Sequence, residues 1–274
     1  MIIPVSVKNQ SIDSSGITSD YKAAISEYVW NGFEANATKV SIEYTHNEAF
    51  GVKELIIKDN GEGINYNELG ETFGAFLASK KNLLSLQMKS KANKGKGRFS
   101  FIAFSNNAEW HTVYKDNDVY KEYDIAMSSD KKEVIDCSEP QLSEQNATGT
   151  EVRFFNINTL TVENMSFEVI ESALLKDFAW FLYLYKNKDA EIIVNGEKID
   201  YKKYINTDLS EKVMVTIDGY RFEINLIVWQ QSISEKFCCY YFDEKNILKG
   251  KRTTTFNHNT INFCLLYTSD AADE

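Results

Sequence analysis

A chain of 274 residues and 31.4 kDa is long enough for a substantial hydrophobic core and for more than one average domain. Hydrophobic residues at 43% and charged residues at 26% are ordinary for a soluble fold, and two prolines leave no Pro-rich linker. The net charge of -10 argues against a general coating of nucleic acid or anionic membrane, although one basic stretch stands within it.

In chain order, Ser19 and Asp20 offer a helix start, with the carboxylate at the positive end of the dipole. DYKAAISEYVWNGFEANA then reads as a helix. At 3.6 residues per turn it places Ile25, Val29 and Gly32 on one side and Glu27, Asn31 and Glu34 on the other. KVSIEY and KELIIKD read as strands, and Asn60-Gly61 as a sharp turn. A helical stretch around Asn67 to Ala78 leads into a polar, lysine-rich segment reaching about Lys94. AEWHTVY, VYKEYDIAM, KKEVIDC and TEVRFFN follow as strands, and a helix is expected from about Val162 to Tyr185. AEIIVNGEKID is a compact hairpin turning at Asn195-Gly196. KVMVTIDGYRFEINLIVWQ and KFCCYYFDEKNILKG read as further hairpins.

The longest apolar run, FAWFLYLY, is far short of the roughly 20 residues that span a bilayer. MIIPVSVKNQ has no cationic region followed by a long apolar one. Cys137, Cys238, Cys239 and Cys264 have neither CxxC spacing nor paired zinc-ligand sets. They are expected as free, mostly buried thiols in a reducing cytosol, so the expected protein is soluble and cytoplasmic, with no membrane partner.

Four segments carry candidate chemistry. Glu27 and Asn31 stand four apart on one helical face. An amide oxygen is a hard ligand for Mg²⁺, and a neighbouring carboxylate can orient and deprotonate water. Alone, such a pair is equally the pattern of a solvated helix face. Asp59-Asn60-Gly61-Glu62-Gly63 follows an apolar strand. Its carboxylate could accept from an exocyclic amine, and its glycines let backbone approach a flat ligand; a plain turn is the simpler reading of DNG. Lys94-Gly95-Lys96-Gly97-Arg98-Phe99 opens onto SFIAF and can present backbone N–H groups to phosphates. It matches neither the P-loop nor GxGxxG, and a basic loop would look the same. No acidic residue lies between Ser79 and Ser100, which suits an anionic ligand. Gly149-Thr150 opens TEVRFF, where a hydroxyl at a strand edge can hold water or a base, and it says little alone.

Together, in this order and spacing, the segments resemble the motif boxes of the GHKL superfamily, which includes DNA gyrase B, MutL mismatch-repair proteins, heat-shock chaperones, histidine kinases and MORC ATPases. EYVWNGFEA is similar to the family's E-x-x-x-N-x-x-D-A, with Glu34 where aspartate is usual. Asp59 to Gly63 fits D-x-G-x-G. Phe73 to Lys80, Phe181 to Ile199 and YYFDEKNILKGKR resemble MORC proteins. The resemblance implies an α+β fold: a two-layer sandwich of the Bergerat type, a mixed sheet with helices on one face, followed by an incomplete β-rich, transducer-like domain. The expected boundaries are 1–189 for the ATP-binding domain and 190–263 for the partial second domain. Residues 264–274 resemble translated adapter read-through, so the natural protein is expected to be longer.

The resemblance further implies ATP and Mg²⁺ as ligands. Glu27 would be the general base, Asn31 the Mg²⁺ ligand and Asp59 the reader of adenine. Gly61 and Gly63 would border the base, with Thr150 supporting it through water. Lys80, Gly95, Lys96, Gly97 and Arg98 would approach the phosphates as part of a lid, and Lys249 or Lys251 could complete the site. The implied function is an ATPase-driven clamp that dimerises through its N-terminal domains and acts on DNA or a protein client. A nucleotide- or nucleic-acid-binding module without turnover is the alternative. A histidine kinase would need a phospho-accepting histidine on a dimerisation helix upstream. Only 26 residues precede Glu27, and His46, His111 and His258 all follow it.

Overall fold

The computed structural model describes residues 17–72, 97–230, 239–242, 248–252 and 263–270. Among these the chain divides into two units, one of 17–72, 97–173 and 188–199 and the other of 174–187 and 200–270.

The first unit opens with helix α1 (Tyr21–Glu34), whose N-cap Asp20 accepts from the Lys22 N–H at 2.9 Å. The helix stops because Asn36 takes φ 60°, a left-handed conformation that asparagine tolerates better than most residues. Strands β1 (Lys39–His46) and β2 (Val52–Asp59) follow as an antiparallel pair. A 3-10 turn (Tyr66–Glu68) runs into a single helical turn, α2 (Leu69–Thr72), where a longer helix to Ala78 is expected; the remainder of that stretch lies outside the described residues. A 3-10 helix (Gly97–Ala103) leads to β3 (Ser105–Asp116), β4 (Val119–Ser128), β5 (Asp136–Cys137), β6 (Gln141–Leu142) and β7 (Gly149–Ile157). Helix α3 (Phe167–Leu184), whose residues from Leu174 onward fall in the second unit, precedes the hairpin of β8 (Glu191–Val194) and β9 (Glu197–Lys198).

The strand order is β5-β4-β3-β7-β2-β1-β8-β9, with β6 paired to β4. β1 and β8 are parallel and the other pairs antiparallel, so the sheet is mixed. Helix α1 lies on one side of it, as an α+β fold of the Bergerat type requires. The register explains which residues meet there. Val40, Asp59, Thr150, Thr112 and Tyr123 stand opposite one another across five strands and therefore share a face. The next inward row is Ile42, Ile57, Val152, Trp110 and Ile125, all buried. Tyr28 of α1 packs edge-on to Phe154 with centroids 4.8 Å apart, which seats the helix on this face. The opposite face is charged and exposed, with Lys58 3.3 Å from Glu151 and His111 2.8 Å from Asp124. That alternation follows from the period of two along each strand.

Four expectations shift. The β8–β9 hairpin, expected beyond a boundary at residue 189, is hydrogen-bonded to β1 within the first sheet. KKEVIDC contributes only Asp136–Cys137 as strand, and Cys137, expected buried, is an exposed thiol on that short edge piece. Helix α3 begins at Phe167 rather than Val162. Thr161 and Asn164 bond each other side chain to backbone, at 2.8 and 3.3 Å, and hold the intervening residues in a turn.

The second unit is built on a five-stranded sheet. Its strands are β10 (Glu211–Ile217), β11 (Tyr220–Val228), β12 (Cys239–Phe242), β13 (Leu248–Arg252) and β14 (Phe263–Asp270). Their order is β10-β11-β14-β12-β13. The β10–β11 turn is Asp218-Gly219, with φ 53° and 87°, the left-handed pair that a two-residue hairpin of this hand demands. Residues 264–270, expected as a read-through tail, fall in β14, antiparallel to β11 and parallel to β12.

Candidate functional site

Glu27 and Asn31, one turn apart on α1, are both half-buried. The residue set against Glu27 comes from 70 positions along the chain. A Cβ placed on Gly97 would lie 2.4 Å from Glu27 Oε1, so glycine lets this backbone pass without displacing the carboxylate. The neighbouring residue anchors the approach: the buried Tyr28 hydroxyl donates to the Arg98 carbonyl at 3.1 Å. Burial pushes the Tyr28 phenol well above its usual value and keeps it a donor. The Arg98 side chain is itself buried, with its guanidinium 4.7 Å from the Phe99 ring centre. Burial draws its pKa down to about 10, and the adjacent Tyr28 acts in the opposite sense.

Asp59 ends β2 at the other end of the same helix. A Cβ on Gly32 would meet the Asp59 Cβ at 2.9 Å, so α1 lies tight against this residue. One carboxylate oxygen of Asp59 accepts from the Gly61 N–H at 2.8 Å, which fixes the side chain's direction. Asn60 serves the turn instead: its Oδ1 accepts from the backbone N–H groups of Thr38 and Lys39 at 2.9 and 2.8 Å. The loop then crosses to β3. At Gly63, φ is +74° and a Cβ would fall 2.1 Å from the Val113 carbonyl, so any side chain is excluded twice over.

Thr150 is paired with Asp59 across β2 and β7, and with Thr112 across β7 and β3. Its hydroxyl lies 3.1 Å from that of Thr112, which also accepts from the Ile64 N–H at 2.9 Å. Thr112 is fully buried, and through it the glycine loop and the closing threonine are joined.

Two clusters result. Glu27, Gly97 and Arg98 meet, with Asn31 one turn along the helix; Asp59, Gly61, Gly63 and Thr150 meet at the end of β2. Five residues of helix separate Glu27 from Gly32, about 7.5 Å along the axis. Lys80, Gly95 and Lys96 lie outside the described residues. Tyr28 and Thr112 match no motif in the sequence. Thr112 had left a sign, as a hydroxyl between Trp110 and Tyr114 on the inward parity of AEWHTVY.

A family model described as histidine kinase-, DNA gyrase B-, and HSP90-like ATPase matches residues 18–159, just over half the chain. The chain belongs to this GHKL family. The matched span of the GHKL domain runs from the start of α1 past the end of β7 and takes in every candidate residue from Glu27 to Thr150. Its membership makes ATP the ligand of the domain. Comparison with curated proteins gives no match. Among the described residues, no helix of the GHKL chain is long and apolar enough to cross a membrane. No group of three or more His, Cys, Asp or Glu side chains among them could hold a metal ion.

Proposed function

We propose that this protein binds ATP between its two clusters and hydrolyses it, with Glu27 as general base. The observation that carries the reading is helix α1, which both clusters share. It sets a carboxylate beside the Gly97 backbone at one end and abuts the Asp59 carboxylate at the other. In the reaction, the purine lies at Asp59 and Thr150. Glu27 takes a proton as water attacks the terminal phosphorus and the bond to the bridging oxygen breaks, releasing ADP and inorganic phosphate. Asn31 would hold Mg²⁺, which supplies charge neutralisation at the phosphates when bound. Lys80, Gly95 and Lys96, with the Gly97 backbone, would approach the same phosphates, while Arg98 would support them from its buried position.

Single-turnover hydrolysis with Glu27→Gln tests this. Turnover should fall at least about 100-fold, within the range for loss of a general base. Binding of a non-hydrolysable ATP analogue should hold within about threefold, because the interaction lost belongs to the transition state. Equal turnover in the variant and the parent would overturn the role of Glu27.

Within the family, we place the chain nearest the MORC-like branch on the motif pattern, as a cytoplasmic ATP-dependent clamp acting on DNA. The transducer-like piece begins after the Glu191–Lys198 hairpin, since that hairpin pairs with β1. Light scattering with and without ATP analogue tests the clamp, and a mass unchanged by nucleotide would remove it.

A further inference from the structure

The base cluster contains a hydroxyl whose bonding can be solved. A threonine hydroxyl carries one proton and two lone pairs. Thr112 Oγ1 has three polar neighbours: the Ile64 N–H at 2.9 Å, Thr150 Oγ1 at 3.1 Å and the Gly149 carbonyl at 3.3 Å. The amide can only donate and the carbonyl can only accept. All three contacts are hydrogen bonds in one arrangement alone. Thr112 accepts from Ile64, donates to Gly149 and accepts from Thr150. In a fully buried residue that arrangement is favoured, because each unmade bond costs about 1–3 kcal/mol.

The consequence falls on Thr150. Its only proton is committed to Thr112, so it offers nothing but lone pairs to a ligand or water. Asp59, its cross-strand partner, is an acceptor as well when ionised. The paired positions 59 and 150 thus present acceptors only. That polarity complements an amino group, directly or through a water donating both protons. It opposes a carbonyl oxygen at the same place. We propose that Thr112 is a positioning residue that sets the direction of the Thr150 proton and thereby selects 6-amino over 6-oxo purine nucleotides. This inference rests on the nucleotide reading above and adds to it a residue that reads the base through another.

The test compares the affinities of ADP and IDP, which differ at the 6-position, by calorimetry with the full chain. Three proteins are used: the parent, Thr112→Val and Thr112→Ser. The parent should prefer ADP. In Thr112→Val the Thr150 hydroxyl loses its acceptor and can turn to donate to the 6-oxo group. The ADP-to-IDP preference should then shrink by about tenfold, the worth of one hydrogen bond. Thr112→Ser, which keeps the hydroxyl, should restore it, an outcome that a merely structural role for the residue does not give. If the valine variant does not fold, Thr112→Cys carries the same expectation, since a thiol is a poor partner for all three bonds. A parent that prefers ADP alongside a folded valine or cysteine variant with the same preference overturns this inference and leaves the nucleotide site standing. A parent that binds neither nucleotide overturns both.

Discussion

The contact between Gly97 and Glu27 allows catalysis and stability to be separated by one methyl group. In Gly97→Ala, the new Cβ would stand 2.4 Å from Glu27 Oε1, 3.0 Å from Cγ and 3.1 Å from Cδ. Ordinary contact begins at 3.4 Å, so the carboxylate must retreat by about 1 Å. The atom met most closely is the far end of a flexible side chain, so it can swing away at little energetic cost. Stability should change by less than about 1 kcal/mol, the scale of a glycine-to-alanine exchange. Hydrolysis has no such latitude, because a misplacement of about 1 Å can cost about 100-fold, equivalent to about 2.7 kcal/mol of activation free energy. The assay pairs single-turnover hydrolysis with thermal unfolding and analogue binding. Turnover should fall by about 100-fold, with the melting temperature nearly unchanged and affinity within about threefold. Turnover within threefold of the parent would refute the claim that the placement of Glu27 against Gly97 matters to the chemistry.

Further outcomes follow from single contacts. The Tyr123 hydroxyl is buried with no hydrogen-bond partner among the described residues, and burial raises its phenol pKa far above the usual value. Tyr123→Phe should raise stability by about 1–3 kcal/mol in denaturant unfolding, and a comparable loss would show that the hydroxyl has a partner. Tyr28→Phe leaves the Arg98 carbonyl without its buried donor and should destabilise by about 1–3 kcal/mol while lowering turnover. Unchanged stability and turnover would refute the anchoring role of that bond. Asp20→Ala removes the cap of α1 and should cost about 1 kcal/mol, read by chemical denaturation. An unchanged denaturation midpoint would show the cap to be idle.

Local structure was legible where one residue type has one strong reason to be where it is. Asp20 capped the helix as its position suggests, and Asn195-Gly196 and Asp218-Gly219 took the left-handed conformations their hairpins need. The GHKL fold was legible because its boxes carry their own spacing. Long-range pairing was not. Nothing in the local pattern says that β7 inserts between β2 and β3, or that β8 returns parallel to β1. Burial chooses those partners, and it joins β2 to β7 and β1 to β8 across more than 90 residues of chain. The start of α3 was hidden by two polar side chains whose mutual bonds compete with helix. At the candidate site, the family pattern singles out Glu27, Asp59 and Thr150. It is silent on Thr112 and Tyr28, which touch other protein groups and match no motif.

The central claim is that Asp59 holds the base of a bound nucleotide. Calorimetric titration of Mg²⁺ and a non-hydrolysable ATP analogue into the parent chain and into Asp59→Asn tests it most directly. The Asp59 carboxylate accepts from Gly61 within the protein at 2.8 Å, and an asparagine oxygen can keep that bond. The loop should therefore survive while an acceptor facing the base is replaced by a donor. Saturable binding by the parent, with affinity lost by about 100-fold or more in the variant, is the expected result. Equal binding by both proteins would place the nucleotide elsewhere and contradict the account.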